Sequence, residues 1–292
     1  MQFAGALTAL ITPFRDDAVD EGALRELVED QIAQGIDGLV PCGTTGESVN
    51  LDDAEYRKVV SAVVGQAKGR VPVVAGAGTA STRHTLELSA IARDAGADGV
   101  LIVSPYYNRP TQQGLYTHFR AVAEGARLPM ILYNIPARTG VDVSLDTLAR
   151  LADDCPAIVA VKESTGNVLR SAQITTRLGE RFTVLSGDDA LTVAIMAVGG
   201  HGVISVASNI VPGAVASAVA LQAEGDVTAA NAAHQKLRPL YEALFLESSP
   251  GPIKAALALQ GKIAEEIRLP LVQVGDTTRA RLRAVLDDLG IR

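Results

Sequence analysis

Residues 157–164 read AIVAVKES. Small and β-branched apolar residues run from Ala157 to Val161, the composition of a strand covered on both faces, and the run stops at Lys162. A lysine at that position is either carried out into water or held in a pocket, where loss of solvent favours the neutral, nucleophilic amine. The flanking strands share the design: PMILYN at 129–134 comes before and FTVLSG at 182–187 comes after.

Working outward, the same unit recurs. A strand over Ala6 to Ile11 leads into a helix over Glu21 to Gln34, whose Leu24, Leu27, Val28 and Ile32 recur at helical spacing. DGLVPCG then precedes a helix from Asp52, VPVVAG a helix from Ser81, and DGVLIVS a helix from Gln112. HGVISV completes the set, and helices are expected near Leu145 to Ala152, Val168 to Leu178 and Ala190 to Val198. Short apolar strands alternating with helices at intervals of roughly 20 to 35 residues are the pattern of an α/β fold of the (β/α)8 TIM-barrel type. An open doubly wound sheet would carry a glycine fingerprint in its first strand-to-helix turn, and the turn after Ile11 has none. Three further helical stretches, Thr228 to Leu246, Gly251 to Lys262 and Thr277 to Leu289, exceed what a barrel requires. They form a C-terminal helical appendage, so the chain divides softly near Gly225 into a catalytic barrel, 1–224, and a helical region, 225–292, without a linker between them.

Composition excludes several roles. The chain of 292 residues is 48% hydrophobic, enough for one large core, and its net charge of -7 leaves no basic footprint for nucleic acid. Cys42 and Cys155 make no spaced disulfide framework, so a reducing, cytoplasmic setting is the expectation. MQFAGALTALITPFRDD lacks a basic leader and a small-residue cleavage site and reads as a first strand. Ala190 to Ala223 holds no Asp, Glu, Lys or Arg, but Gly199, Gly200, His201, Gly202, Asn209 and Pro212 break it into helix, strand and helix lengths rather than one membrane span.

In such a barrel the reactive groups stand at the C-terminal ends of the strands. Gly43-Thr44-Thr45-Gly46 is either a tight turn capping the next helix or a set of amides and hydroxyls for a small carboxylate. Tyr133 either packs or offers its hydroxyl as an acid and base to a nearby amine. Arg138 is either a solvated surface residue or a fork for a second carboxylate, and Tyr106 and Tyr107 either pack against another surface or belong to the site. A nucleophile, phenols, hydroxyls and a guanidinium on one rim favour catalysis. Competing chemistries lack their parts: His84, His118, His201 and His234 have no metal-ligand spacing, and no P-loop or GxSxG elbow is present. GAGTAS at 76–81 reads as a tight strand-to-helix turn more than as a phosphate cradle, and Asp188 with Asp189 reads as a helix N-cap more than as a magnesium site.

GTTGES, SPYYNRPTQQGLY, YNIPARTG, VKESTGN, LSGDD and GGHGVIS, in this order, with SSPGPIKAAL in the tail, resemble the dihydrodipicolinate synthase family of pyruvate-dependent Schiff-base lyases over nearly the whole chain. The resemblance implies that Lys162 forms an imine with pyruvate, which becomes an enamine and adds to L-aspartate 4-semialdehyde in the diaminopimelate route to lysine, with no other cofactor or metal. It implies proton transfer by Tyr133, relayed through Thr45 and Tyr107. It assigns the pyruvate carboxylate to Thr44 and Thr45, the second carboxylate to Arg138, and the pocket lining to the backbone carbonyls of Gly187 and Ile204. It further implies a homotetramer built as a dimer of dimers, with Tyr107 reaching into the neighbouring subunit's site, and no nucleic-acid or membrane partner. Related aldolases on the same scaffold, such as N-acetylneuraminate lyases and keto-deoxy sugar acid aldolases, share the lysine and tyrosine; Arg138 and the GTTGE form favour the synthase, and a silent keto-acid-binding barrel is the non-enzymatic alternative. Ala80 and His84, with Asp53 and Tyr56, stand where lysine-inhibited relatives carry other residues, so weak or absent lysine inhibition is expected.

Overall fold

The structure, a computed structural model, describes residues 3–291 and every side chain among them but that of Glu180. Eight strands, β1 (Gly5–Ala9), β2 (Gly38–Val40), β3 (Val74–Gly76), β4 (Gly99–Val103), β5 (Met130–Asn134), β6 (Ile158–Glu163), β7 (Thr183–Ser186) and β8 (Gly202–Ser205), form one parallel sheet. Its order is β2-β1-β8-β7-β6-β5-β4-β3, and a parallel bridge between Leu39 and Val73 closes it into a barrel. The sequence expectation of a (β/α)8 barrel holds.

Alternation of side chains along each strand sorts the residues between two cores. Leu7, Ala9, Val40, Val74, Leu101, Ile131, Tyr133, Ala160, Leu185 and Ile204 fill the barrel interior, while Ala6, Ile102, Leu132, Val161, Val184 and Val203 face outward into the helix layer. Ala160 points inward, and period two therefore turns Lys162 and Ser164 inward as well and Glu163 outward. The barrel interior needs glycine where backbones crowd: a Cβ on Gly76 would stand 2.2 Å from the Cys42 carbonyl oxygen.

The helical layer comprises α1 (Glu21–Ala33), α2 (Asp53–Ala67), α3 (Thr82–Asp94), α4 (Gln112–Ala126), α5 (Leu145–Asp154), α6 (Val168–Leu178), α7 (Thr192–Ala197) and α8 (Pro212–Ala223). Their starts follow local chemistry: Asp20, Asp52, Ser81, Thr111, Ser144 and Asn167 each cap with a side-chain oxygen, and Asp52 with Glu55 completes a capping box. Of the boundaries that differ from expectation, two have a visible local cause. β1 ends at Ala9 and not at Ile11, because the Asn209 side chain takes over the ladder, accepting from Ile11 N at 3.1 Å and donating to Ala9 O at 2.8 Å. The helix expected from Ala190 begins at Thr192, after a 3-10 turn over Asp189–Leu191 that Asp188 caps.

The appendage consists of α9 (Val227–Ala243), α10 (Gly251–Leu259) and α11 (Asp276–Asp288). α9 packs on α8, and α10 is buried from Gly251 to Leu257. Lys254 of α10 reaches the barrel mouth, where its buried ammonium donates to the equally buried Glu47 carboxylate. No helix among the described residues is long and apolar enough to cross a membrane.

Candidate active site

The β5–β6 register pairs Tyr133 directly with Lys162. Both point into the barrel near its C-terminal end, with only 5% and 6% of their surfaces exposed, and Lys162 Nζ lies 4.3 Å from the centre of the Tyr133 ring. An amine over a π-face is held by cation–π attraction while protonated and needs no carboxylate partner there. On the other side Gly187, just past β7, makes room: a Cβ would meet Lys162 Cε at 2.9 Å and Ser164 Oγ at 1.8 Å. Gly187 is therefore a steric requirement for the Lys162 stem. Ile204 lies in the same interior cluster as Tyr133.

Above them a cavity of about 300 Å³ opens at the mouth, with Thr44, Val103, Tyr106, Ile135 and Arg138 in its wall. Lys162 and Tyr133 are not part of that wall. Arg138 comes from a one-turn helix, Pro136–Thr139, that directly follows β5. The Gly43–Asn50 loop folds on itself through Gly46 N to Gly43 O and Glu47 N to Thr44 O, each 3.1 Å, and Thr12 Oγ1 donates to Gly46 O at 2.8 Å. In this loop Thr44 is exposed and lines the cavity, whereas Thr45 is buried. Tyr107 stands apart from the rest, 94% exposed with a left-handed φ of 68°. A larger cleft of about 690 Å³, lined by Phe14, Asp17, Glu55 and Arg268, lies away from Lys162; there Glu55 and Asp17 already occupy the Arg268 guanidinium.

Several supporting residues escaped sequence reasoning. Glu163, turned outward beside Lys162, accepts from Thr165 N at 2.9 Å, Arg170 Nε at 3.0 Å and Asn134 Nδ2 at 3.2 Å. Asn134 in turn accepts from Val143 N at 3.1 Å and donates to Asp142 at 2.8 Å. One buried carboxylate thus ties together the loops after β5 and β6, the two strands that carry Tyr133 and Lys162. Asp189 does the same after β8: it accepts from Ser205 Oγ at 2.5 Å, Val206 N at 2.9 Å and Ala207 N at 3.1 Å. Burial pushes its carboxyl above the usual range, and these three donors oppose that. Asp188 is the N-cap expected of the acidic pair; Asp189 is not, and serves as this buried tether. Glu47 is the third such group, receiving Lys254 Nζ and, at 3.1 Å, Arg268 N. The sequence signal for Glu47 and Glu163 was a carboxylate next to a glycine or lysine at a strand end, and for Asp189 it was the acidic pair that follows Gly187.

A buried amine beside a phenol under an open, polar-rimmed mouth is equipped to add to a carbonyl and to move the protons that follow. Comparison with known proteins supplies the family. A family model described as the Dihydrodipicolinate synthetase family matches residues 2–289. The chain belongs to the dihydrodipicolinate synthetase family. The 4-hydroxy-tetrahydrodipicolinate synthase of Nitratidesulfovibrio vulgaris strain DP4 is 50% identical over 291 residues, covering 100% of both chains. The crystal structure of dihydrodipicolinate synthase from Aquifex aeolicus is similar with a TM-score of 0.98 at 46% identity over 99% of each chain. The chloride-inhibited dihydrodipicolinate synthase from Acinetobacter baumannii complexed with pyruvate gives 0.97 at 43% identity, again over 99% of each.

Proposed function

We propose that this chain is a 4-hydroxy-tetrahydrodipicolinate synthase, a lyase that condenses pyruvate with L-aspartate 4-semialdehyde through a Schiff base on Lys162. The observation that carries the reading is Lys162 Nζ held 4.3 Å from the Tyr133 ring inside the closed barrel. The full-length relatives that share the family bear the same activity in their names, and pyruvate is the ligand of the similar Acinetobacter structure.

The amine of Lys162 adds to the ketone carbon of pyruvate, and loss of water leaves a protonated imine, which acts as an electron sink. Removal of a methyl proton gives the enamine, whose carbon attacks the aldehyde of the semialdehyde. The substrate's own amine then displaces Lys162 and closes the ring. Tyr133 is the proton carrier, relayed by Thr45 and Tyr107. Thr44 and Thr45 bind the pyruvate carboxylate, Arg138 the carboxylate of the semialdehyde, and the backbone carbonyls of Gly187 and Ile204 line the pocket. The covalent imine with pyruvate takes the place of a cofactor, and no metal enters the cycle.

Tyr107 completes the site of a second copy. Its 94% exposure, alongside exposed Val49, Leu269 and Val272, supports a homodimer that pairs into a tetramer. The Lys254–Glu47 contact supports the barrel, 1–224, and the helical region, 225–292, folding as one unit. The enzyme works in the cytoplasm, a setting that the free, buried Cys42 and Cys155 support. The test is to supply pyruvate with either L-aspartate 4-semialdehyde or N-acetylmannosamine. Consumption of pyruvate with the first alone is expected; consumption with the sugar alone would contradict the reading.

A further inference from the structure

Ser164 Oγ is buried and has no hydrogen-bond partner. Its place makes that unusual. Two residues after Lys162, it lies on the same inward face, and the empty side of Gly187 puts Ser164 Oγ and Lys162 Cε 1.8 Å and 2.9 Å from a single point, so the hydroxyl lies beside the end of the lysine stem. Its backbone is fixed, with N donating to Asn134 O at 2.9 Å, and the next residue along is tied down by Glu163, Thr165 N to Oε1 at 2.9 Å. A hydroxyl kept dry and unpaired costs stability that a water or a carbonyl would relieve. The neighbouring Ser186 and Ser205 hydroxyls both donate to protein oxygens, Asp188 O at 2.7 Å and Asp189 Oδ1 at 2.5 Å.

We propose that Ser164 Oγ is the hydrogen-bond partner of the oxygen that pyruvate's ketone becomes on Lys162. This rests on the Schiff-base reading. When the Lys162 nitrogen bonds to the ketone carbon, the C=O π pair moves to oxygen and a proton passes from nitrogen to that oxygen, giving a carbinolamine. A second proton on that hydroxyl, with the nitrogen lone pair forming C=N, expels water and leaves the protonated imine. The oxygen is charged or newly protonated throughout, and a fixed donor in a dry site is most effective there. Ser164 supplies it and Tyr133, on the other side of the amine, supplies the protons. Ser164 thus offers a buried hydroxyl whose partner arrives with the substrate.

The experiment follows the first-order rate of the pyruvate adduct at saturating pyruvate, trapped with borohydride and read by intact mass, in the wild type, Ser164→Ala and Ser164→Gly, with each unfolding midpoint measured alongside. Both variants are expected to form the adduct roughly ten-fold or more slowly, the effect of one charge-assisted hydrogen bond in a transition state. The alanine variant should keep or raise its midpoint, because the hydroxyl makes no hydrogen bond in the free enzyme. Rates within about two-fold of wild type in either variant, or a slowed Ser164→Ala with a lowered midpoint, overturn the proposal. Absence of an adduct in the wild type would instead overturn the Schiff-base reading itself.

Discussion

Tyr133 and Lys162 meet because two strands pair in one register, not because they are close in sequence. Tyr133→Phe keeps the ring that faces the amine and removes the acid, so kcat is expected to fall about a hundred-fold or more with the unfolding midpoint unchanged. A steady-state assay beside a thermal melt checks this. A second residue carries a pH effect. His118 is buried, bonded to Thr82 Oγ1 at 2.9 Å through Nδ1 and unpartnered at Nε2, and burial pushes it down to about 4 from 6.5. The unfolded chain therefore binds the proton first, and stability is full above pH 6.5 and is lost as pH falls towards 4, by at most about 1.4 kcal/mol per unit. Melts across that window should show the slope in the wild type and lose this part of it in His118→Gln. Lys162 and Tyr133 were legible in the sequence because each interrupts or ends an apolar run. Ser164 and Glu163 were not, since what matters for them is what they touch across a turn, and no spacing rule records that.

At the scale of elements, apolar runs and capping residues placed the strands and helices well. The periodicity failed where a side chain replaces the ladder, as Asn209 does at Ala9 and Ile11. It also could not show that an appended helix reaches into the rim. Glu47 adopts a left-handed φ of 53° and closes the Thr44–Thr45 loop, and Lys254 of α10 fills its charge at less than 2% exposure on both sides. Burial pushes the Lys254 ammonium down, with Glu47 opposing it, and the Phe14 ring lies 4.3 Å from Nζ. Lys254→Met leaves that carboxylate buried without its cation. A loss of about 3–5 kcal/mol is expected, together with a raised KM for pyruvate, since the loop carrying Thr44 and Thr45 is released. Pairing it with Glu47→Gln should recover much of the stability, and chemical denaturation of the single and double variants measures both terms.

For the molecule as a whole, the fold and its chemistry were readable because a barrel places every reactive group at one end. Assembly and control were less so, since they depend on surfaces that composition does not order. A small cavity of about 120 Å³ beside the mouth is lined by Ser48, Val49, Tyr56, His84 and Tyr106 without a carboxylate, and His84 is engaged by Asp53 at 3.2 Å. Lysine would bring its ammonium groups to a wall with no anion. Lysine inhibition is therefore expected to be weak or absent, and a sub-millimolar inhibition constant would contradict that. The central claim concerns one bond in the whole protein. Intact mass after borohydride treatment with pyruvate should show a single reduced pyruvate per chain, mapped to Lys162 and absent from Lys162→Ala, which folds normally; an unmodified wild type, or an adduct that survives in Lys162→Ala, would contradict the account.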